Sequence, residues 1–153
     1  ESLMRQVQNE LTAIQVEGLG MALDNPKIIE IRGELLGGRG KTTEKVRVCR
    51  PVPFVVLKAL AFDKRREGKD AYDLIYVLRN SQGGAETVGK LATDSERRLP
   101  AFQHALDIMK KHFRDIGESG PRLYSLFLNG DETLEAQAVA AVREFVNSTY
   151  GKI

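Results

Sequence analysis

One lysine in an apolar run constrains this chain more than any other feature. In Phe54-Val55-Val56-Leu57-Lys58-Ala59-Leu60-Ala61-Phe62, Lys58 has four apolar residues on either side. An ammonium in such surroundings costs several kcal/mol or loses its proton unless it finds a partner. A second stretch has the complementary problem, because Asp73 stands among Ala71, Tyr72, Leu74 and Ile75. Two helices joined by a bridge from Lys58 to Asp73 satisfy both. Pro51 and Pro53 suit the first helical turn and predict a helix running to about Arg66. Gly68 punctuates, and the next helix runs from Lys69 to about Asn80, stopped by Ser81-Gln82-Gly83-Gly84. On that second helix Asp70 and Asp73 are three apart and Lys69 and Asp73 four apart, so the three side chains share one patch.

Ahead of this pair, Leu3, Met4, Val7 and Leu11 have helical spacing and predict a short amphipathic helix over Glu1 to about Ala13. Gly18, Gly20 and Asn25-Pro26 break it. Lys27 to Leu35 and Val46 to Cys49 alternate as half-buried strands do, and Gly37-Gly38-Arg39-Gly40 supplies the turn of an antiparallel hairpin. Downstream, Ala85 to about Leu91 reads as a short helix. Phe102, Leu106, Ile108, Met109, Phe113 and Ile116 mark an amphipathic helix after Pro100, closed by Gly117. Pro121 opens a segment, Arg122 to Leu128, that fits a strand or a last helical turn equally. Glu132 to about Ser148 is a final helix. The expected architecture is α+β: one domain over 1–153, with a helix and β-hairpin in 1–50 and about five helices in 51–153.

Its 153 residues suffice to bury roughly 68–70% of the unfolded surface without staples. A net charge of +2 does not make a basic stripe, and Lys64-Arg65-Arg66, the densest basic run, is diluted at once by Glu67 and reads as a solvated loop between helices. Cys49 is the only cysteine, which excludes an internal disulfide and points to a reducing, cytoplasmic setting; it reads as a small core residue. No segment has the apolar length of a membrane span, and no secretory signal is visible.

Other chemistry finds little anchorage. Gly40-Lys41-Thr42 ends like a phosphate-binding loop, but the required first glycine is Leu35 and the loop joins two strands, so no helix N-terminus faces a phosphate. His104 and His112 lie eight residues apart without a metal-site spacing. No serine stands in a nucleophile-elbow motif.

The segment Val48 to Asn80, with Pro53 to Ala61 and Lys69-Asp70-Ala71-Tyr72-Asp73-Leu74, resembles the later motifs of AbiEii-like nucleotidyltransferases, the toxin components of abortive-infection and toxin-antitoxin systems. The resemblance covers about a fifth of the chain closely. It implies that Lys58 lies near the triphosphate of a bound nucleotide, and that Lys69, Asp70 and Asp73 orient this lysine and shape the nucleotide pocket. It also implies magnesium and a nucleoside triphosphate for the intact protein, RNA or protein as acceptor, and an antitoxin as partner. Lysine serves phosphate as a point charge. The metal-holding Gly-Ser turn and Asp-x-Asp pair of such enzymes are absent from this sequence. With a start at Glu1, the expectation is the C-terminal part of a longer protein, inactive without its upstream half. Glu30 and Glu34 on the hairpin are the alternative carboxylates, read here as solvent-facing. The competing reading is a non-catalytic interaction domain for a protein or RNA, with Lys58 and Asp73 as a structural bridge.

Overall fold

The computed structural model describes the backbone of residues 4–8 and 11–14 and all atoms of residues 16–150. The fold is α+β. Where an N-terminal helix was expected, β1 (Met4–Gln8) pairs antiparallel with β2 (Leu11–Ile14), Met4 opposite Ile14. Residues 1–3, which the expected helix included, lie outside the described residues. A segment this short is marginal as a lone helix, and β-branched Val7, Thr12 and Ile14 favour extended backbone. One helical turn, α1 (Leu19–Leu23), follows and buries Met21.

The second hairpin forms as its sequence requires. Strands β3 (Lys27–Glu34) and β4 (Lys41–Val48) pair in unbroken register from Lys27–Val48 to Glu34–Lys41. Its turn needs glycine, since Gly37, Gly38 and Gly40 all have positive φ, and Leu35 N–H closes the loop onto Gly40 O at 2.9 Å. The expected half-burial does not occur. Both strands are exposed along nearly their whole length. The pleat nevertheless sorts the side chains: Ile29, Ile31, Val46 and Val48 share one face, while Glu30, Arg32, Lys45 and Arg47 share the other. Ile28 on the charged face and Lys27 and Glu44 on the other break the alternation, no described element covers the more apolar side, and Ile31 remains 52% exposed.

Seven helical segments follow: α2 (Pro51–Arg65), α3 (Gly68–Asn80), α4 (Gly84–Lys90), α5 (Asp94–Arg97), α6 (Pro100–His112), α7 (Ser119–Phe127) and α8 (Glu132–Thr149). Five were expected. The four-residue α5 is fixed by a reciprocal cap in which Thr93 Oγ1 accepts from Glu96 N–H and Glu96 accepts from Thr93 N–H. The segment left open around Pro121 is helix α7, with the proline in its first turn, where the missing N–H is tolerated. Helix α6 stops at His112, short of the expected Gly117.

Helix α2 organises the core. Val52, Val55, Val56, Ala59 and Leu60 recur at helical spacing and are buried, as is Phe62. Phe62 packs against Phe113 with ring centroids 5.2 Å apart, and Ala71, Leu74, Ile75 and Leu78 of α3 complete the contact from the other side. Arg50, the residue before α2, pairs with buried Glu96, which ties the exit of the hairpin to α5. Helices α4 and α8 are in close contact at Gly89, where an added Cβ would meet Ser148 Oγ and lie 2.6 Å from Phe145 O. Gly89→Ala therefore forces the two backbones apart, with a predicted loss of about 1–3 kcal/mol; urea unfolding followed by helical circular dichroism measures it.

Candidate functional site

Helices α2 and α3 pack so that Lys58, Lys69, Asp70 and Asp73 meet at one place. Lys58 Nζ lies 2.6 Å from Asp73 Oδ2 and 3.2 Å from Asp70 Oδ1. The predicted bridge to Asp73 is thus present, and Asp70 shares the lysine. Lys69, one turn before Asp73, donates to the same Asp73 oxygen at 2.7 Å. All four residues singled out in the sequence are brought together. The lysine side chain retains 22% exposure, and its Nζ lies over the Phe54 ring, 5.7 Å from the centroid.

A fifth member was missed. Arg65, seven residues and two turns beyond Lys58 on α2, grips Asp70 with its guanidinium: Nε reaches Oδ2 at 3.0 Å, and Nη2 reaches both carboxylate oxygens at 2.7 Å. The signal was the i, i+7 spacing from Lys58, hidden because Lys64-Arg65-Arg66 read as a solvated loop. Lys64 and Arg65 form the last turn of α2, which ends where the expected helix to about Arg66 places it, and Arg66 is its left-handed cap with φ of 54°. Asp70, at 2% side-chain exposure, needs both cations, since a buried carboxylate without partners is strongly disfavoured.

The cluster holds three cations and two carboxylates, a surplus of one positive charge. Burial alone would lower the pKa of Lys58, but its hydrogen bonds to Asp73 and Asp70 outweigh it and leave the ammonium above lysine's ordinary value. For Asp73, burial acts to raise the pKa, and the hydrogen bonds from Lys58 and Lys69 outweigh it, leaving the carboxyl below the usual aspartate value.

A second cluster closes the far end of α2. Arg66 Nη1 lies 2.8 Å from His112 Nδ1, and its Nη2 lies 2.8 Å from Asp63 Oδ1. His112 Nε2 is 3.4 Å from Asp63 Oδ1, and Ser119 Oγ is 3.1 Å from His112 Nδ1. Burial first, then the neighbouring charges of Arg66 and Lys111, depress the His112 pKa; Asp63 and Glu118 oppose this only in part. The other histidine, His104, pairs with Glu17 at 3.1 Å. Cys49 is half-buried beyond the end of β4, not the core residue expected, and burial raises its thiol pKa more than Arg50 lowers it. Glu30 faces solvent on β3 and binds Arg32 at 2.8 Å, and Glu34 sits at the exposed end of the same strand.

Asp70 and Asp73 do not suit a magnesium ion. Both Asp70 oxygens and Asp73 Oδ2 are already engaged by Lys58, Arg65 and Lys69, and a cation there would face three positive charges. Among the described residues no group of three or more His, Cys, Asp or Glu could hold a metal. None of the described helices is long and apolar enough to cross a membrane. Comparison with protein-family models, with curated proteins and with solved structures found no match to this chain.

Two outcomes follow from these clusters. Asp70→Asn removes the charge that holds Arg65 and shares Lys58, and is predicted to cost about 1–3 kcal/mol in urea unfolding. For His112 the folded pKa lies below the ordinary 6.5, so the unfolded chain takes up the proton first. Its contribution to stability is therefore complete above pH 6.5 and is lost as pH falls below that value toward the folded pKa. His112→Gln should flatten this arm of a stability-against-pH profile.

Proposed function

We propose that this chain supplies the nucleotide-side half of a nucleotidyltransferase-like protein of the AbiEii kind, with Lys58, Lys69, Asp70 and Asp73 forming a seat for the nucleotide phosphates. The observation that carries the reading is the surplus cation at the junction of α2 and α3. The two carboxylates fix the direction of Lys58, and Lys69 stays 64% exposed beside it, open to a phosphate oxygen. Catalysis by nucleotidyl transfer works largely through such prearranged positive charge. The motif resemblance across Val48 to Asn80 supports the same assignment.

The division of labour follows from the donor set. Asp70 and Asp73 orient cations and do not bind metal, so the carboxylates for magnesium are to come from residues outside this sequence, where the Asp-x-Asp pair would lie. The chain alone then binds phosphate without transferring it. On the same reading the acceptor is RNA or protein, an antitoxin protein is a partner, and the setting is the cytoplasm.

A second reading is favoured by one distance pattern. Lys58 already has carboxylates at 2.6 and 3.2 Å, so the cluster is electrostatically served without a ligand. In that case the bridge only locks α2 against α3, and the chain is an interaction domain for protein or RNA.

Calorimetric titration of the chain with each magnesium–nucleoside triphosphate separates the two. The phosphate seat predicts measurable binding that weakens about tenfold in Lys58→Ala and also falls in Asp73→Ala, with circular dichroism confirming that both variants fold. Undiminished binding in both variants, or no uptake of any nucleotide, overturns it. Salt-dependent RNA binding that ignores Lys58→Ala supports the interaction domain instead.

A further inference from the structure

We infer that the outer edge of β3 pairs antiparallel with β3 of a second copy of this chain, joining two hairpins into one four-stranded sheet with its two-fold axis at Ile31. Among the described strands β3 pairs only with β4, and all eight of its residues are exposed. Which backbone groups lie on the open edge follows from the register. Leu35 N–H donates to Gly40 O, so every second residue back along β3, from Gly33 to Lys27, points its backbone groups at β4. The N–H and C=O groups of Ile28, Glu30, Arg32 and Glu34 therefore point away from it. Such an unpaired row is a template for another strand.

Charge selects the strand that fits. In a two-fold antiparallel pair the outward rows meet only when the axis passes through a residue. An axis at Glu30 or at Arg32 brings like charges face to face. The axis at Ile31 sets Glu30 of each copy opposite Arg32 of the other and pairs the strands from Ile28 to Glu34. On the other face Ile31 meets its own counterpart, and Ile29 lies opposite Gly33, where an added Cβ would find nothing within 4 Å. The Glu30–Arg32 pair within one chain is no obstacle, since it is a surface pair with the Arg32 side chain 80% exposed. The edge of β4 is closed to the same use, because its outward row of Lys41, Thr43, Lys45 and Arg47 carries three cations and no anion. Pairing β3 with β4 of another copy, in the register of the hairpin itself, matches charge but sets both helical bodies at the same end. There β4 runs into α2 through only Cys49 and Arg50, and neighbouring hairpins lie about 9.6 Å apart, less than the width of a single helix at about 10–12 Å. The antiparallel β3 pair sends the two bodies to opposite ends of the sheet.

The contact is one strand edge, smaller than a standard interface, so the dimer is concentration-dependent. Sedimentation equilibrium of the whole chain from about 10 μM to about 1 mM is expected to show monomer and dimer only. Glu30→Arg and Arg32→Glu each place two like-charge pairs across the axis, and each is expected to weaken the dimer at least about tenfold. Mixed in equal amounts the two variants recover it, since the two arginines of one copy then face the two glutamates of the other. The backbone amides of Glu30 and Arg32 gain hydrogen-exchange protection as concentration rises. Both side chains are exposed, and helical circular dichroism checks that the bundle of each variant is folded. A chain that stays monomeric to about 1 mM overturns the inference. So does growth beyond the dimer, which marks head-to-tail pairing, or a dimer indifferent to both variants, or a mixture no tighter than its components.

Discussion

Everything at the centre of this molecule depends on giving the carboxylate of Asp70, almost completely out of water, its cationic partners. Arg65 and Lys58 supply that condition from one side of α2, and both can do so only if α3 crosses α2 at the height of Asp70. The apolar residues that α2 and α3 contribute to the common core hold the helices together without choosing where they cross. A contact between greasy faces tolerates sliding, whereas a bidentate guanidinium–carboxylate pair does not. The charges thus add specificity to an association whose driving force is hydrophobic.

The same division appears at the other end of α2. Phe62 is buried against Phe113, and immediately beyond it the polar set of Asp63, Arg66, His112 and Ser119 fastens α2 to α6 and α7. Arg66 occupies a left-handed cap position where glycine is usual, at a cost of about 1 kcal/mol. Its side chain recovers the conformational cost through contacts that glycine could not make, including the face of Phe62 at 5.5 Å. A neutral imidazole suits this place, since an added proton would oppose the guanidinium.

Much of the helical region was legible because its signals are local. Prolines 51 and 53, the glycines after Asn80 and the 3.6-residue spacing in α2, α3, α6 and α8 each act within a few residues. Lys58 with Asp73 was readable for another reason: a charge in an apolar run demands a partner of opposite sign, and the chain offered one in a similar setting. Arg65 was not readable, because it is exposed like its neighbours Lys64 and Glu67, and only its helical phase sets it beside Asp70. The β1–β2 hairpin was lost because a few apolar residues at i, i+3 and i+4 fit a helix and a twisted pair of short strands alike.

The β3–β4 hairpin carries a consequence for cooperativity. Its strands hold each other by main-chain hydrogen bonds, yet its apolar face is not sealed against the helices. Two strands without a covered face are only marginally stable in water. The hairpin therefore opens on its own free-energy scale, decoupled from the core around Phe62, Phe102 and Phe145. Helical circular dichroism reports the melting of the bundle, and hydrogen exchange of the strands reports a separate, cheaper event. For this chain a single unfolding free energy describes the helices and says nothing of the arm that leads into them.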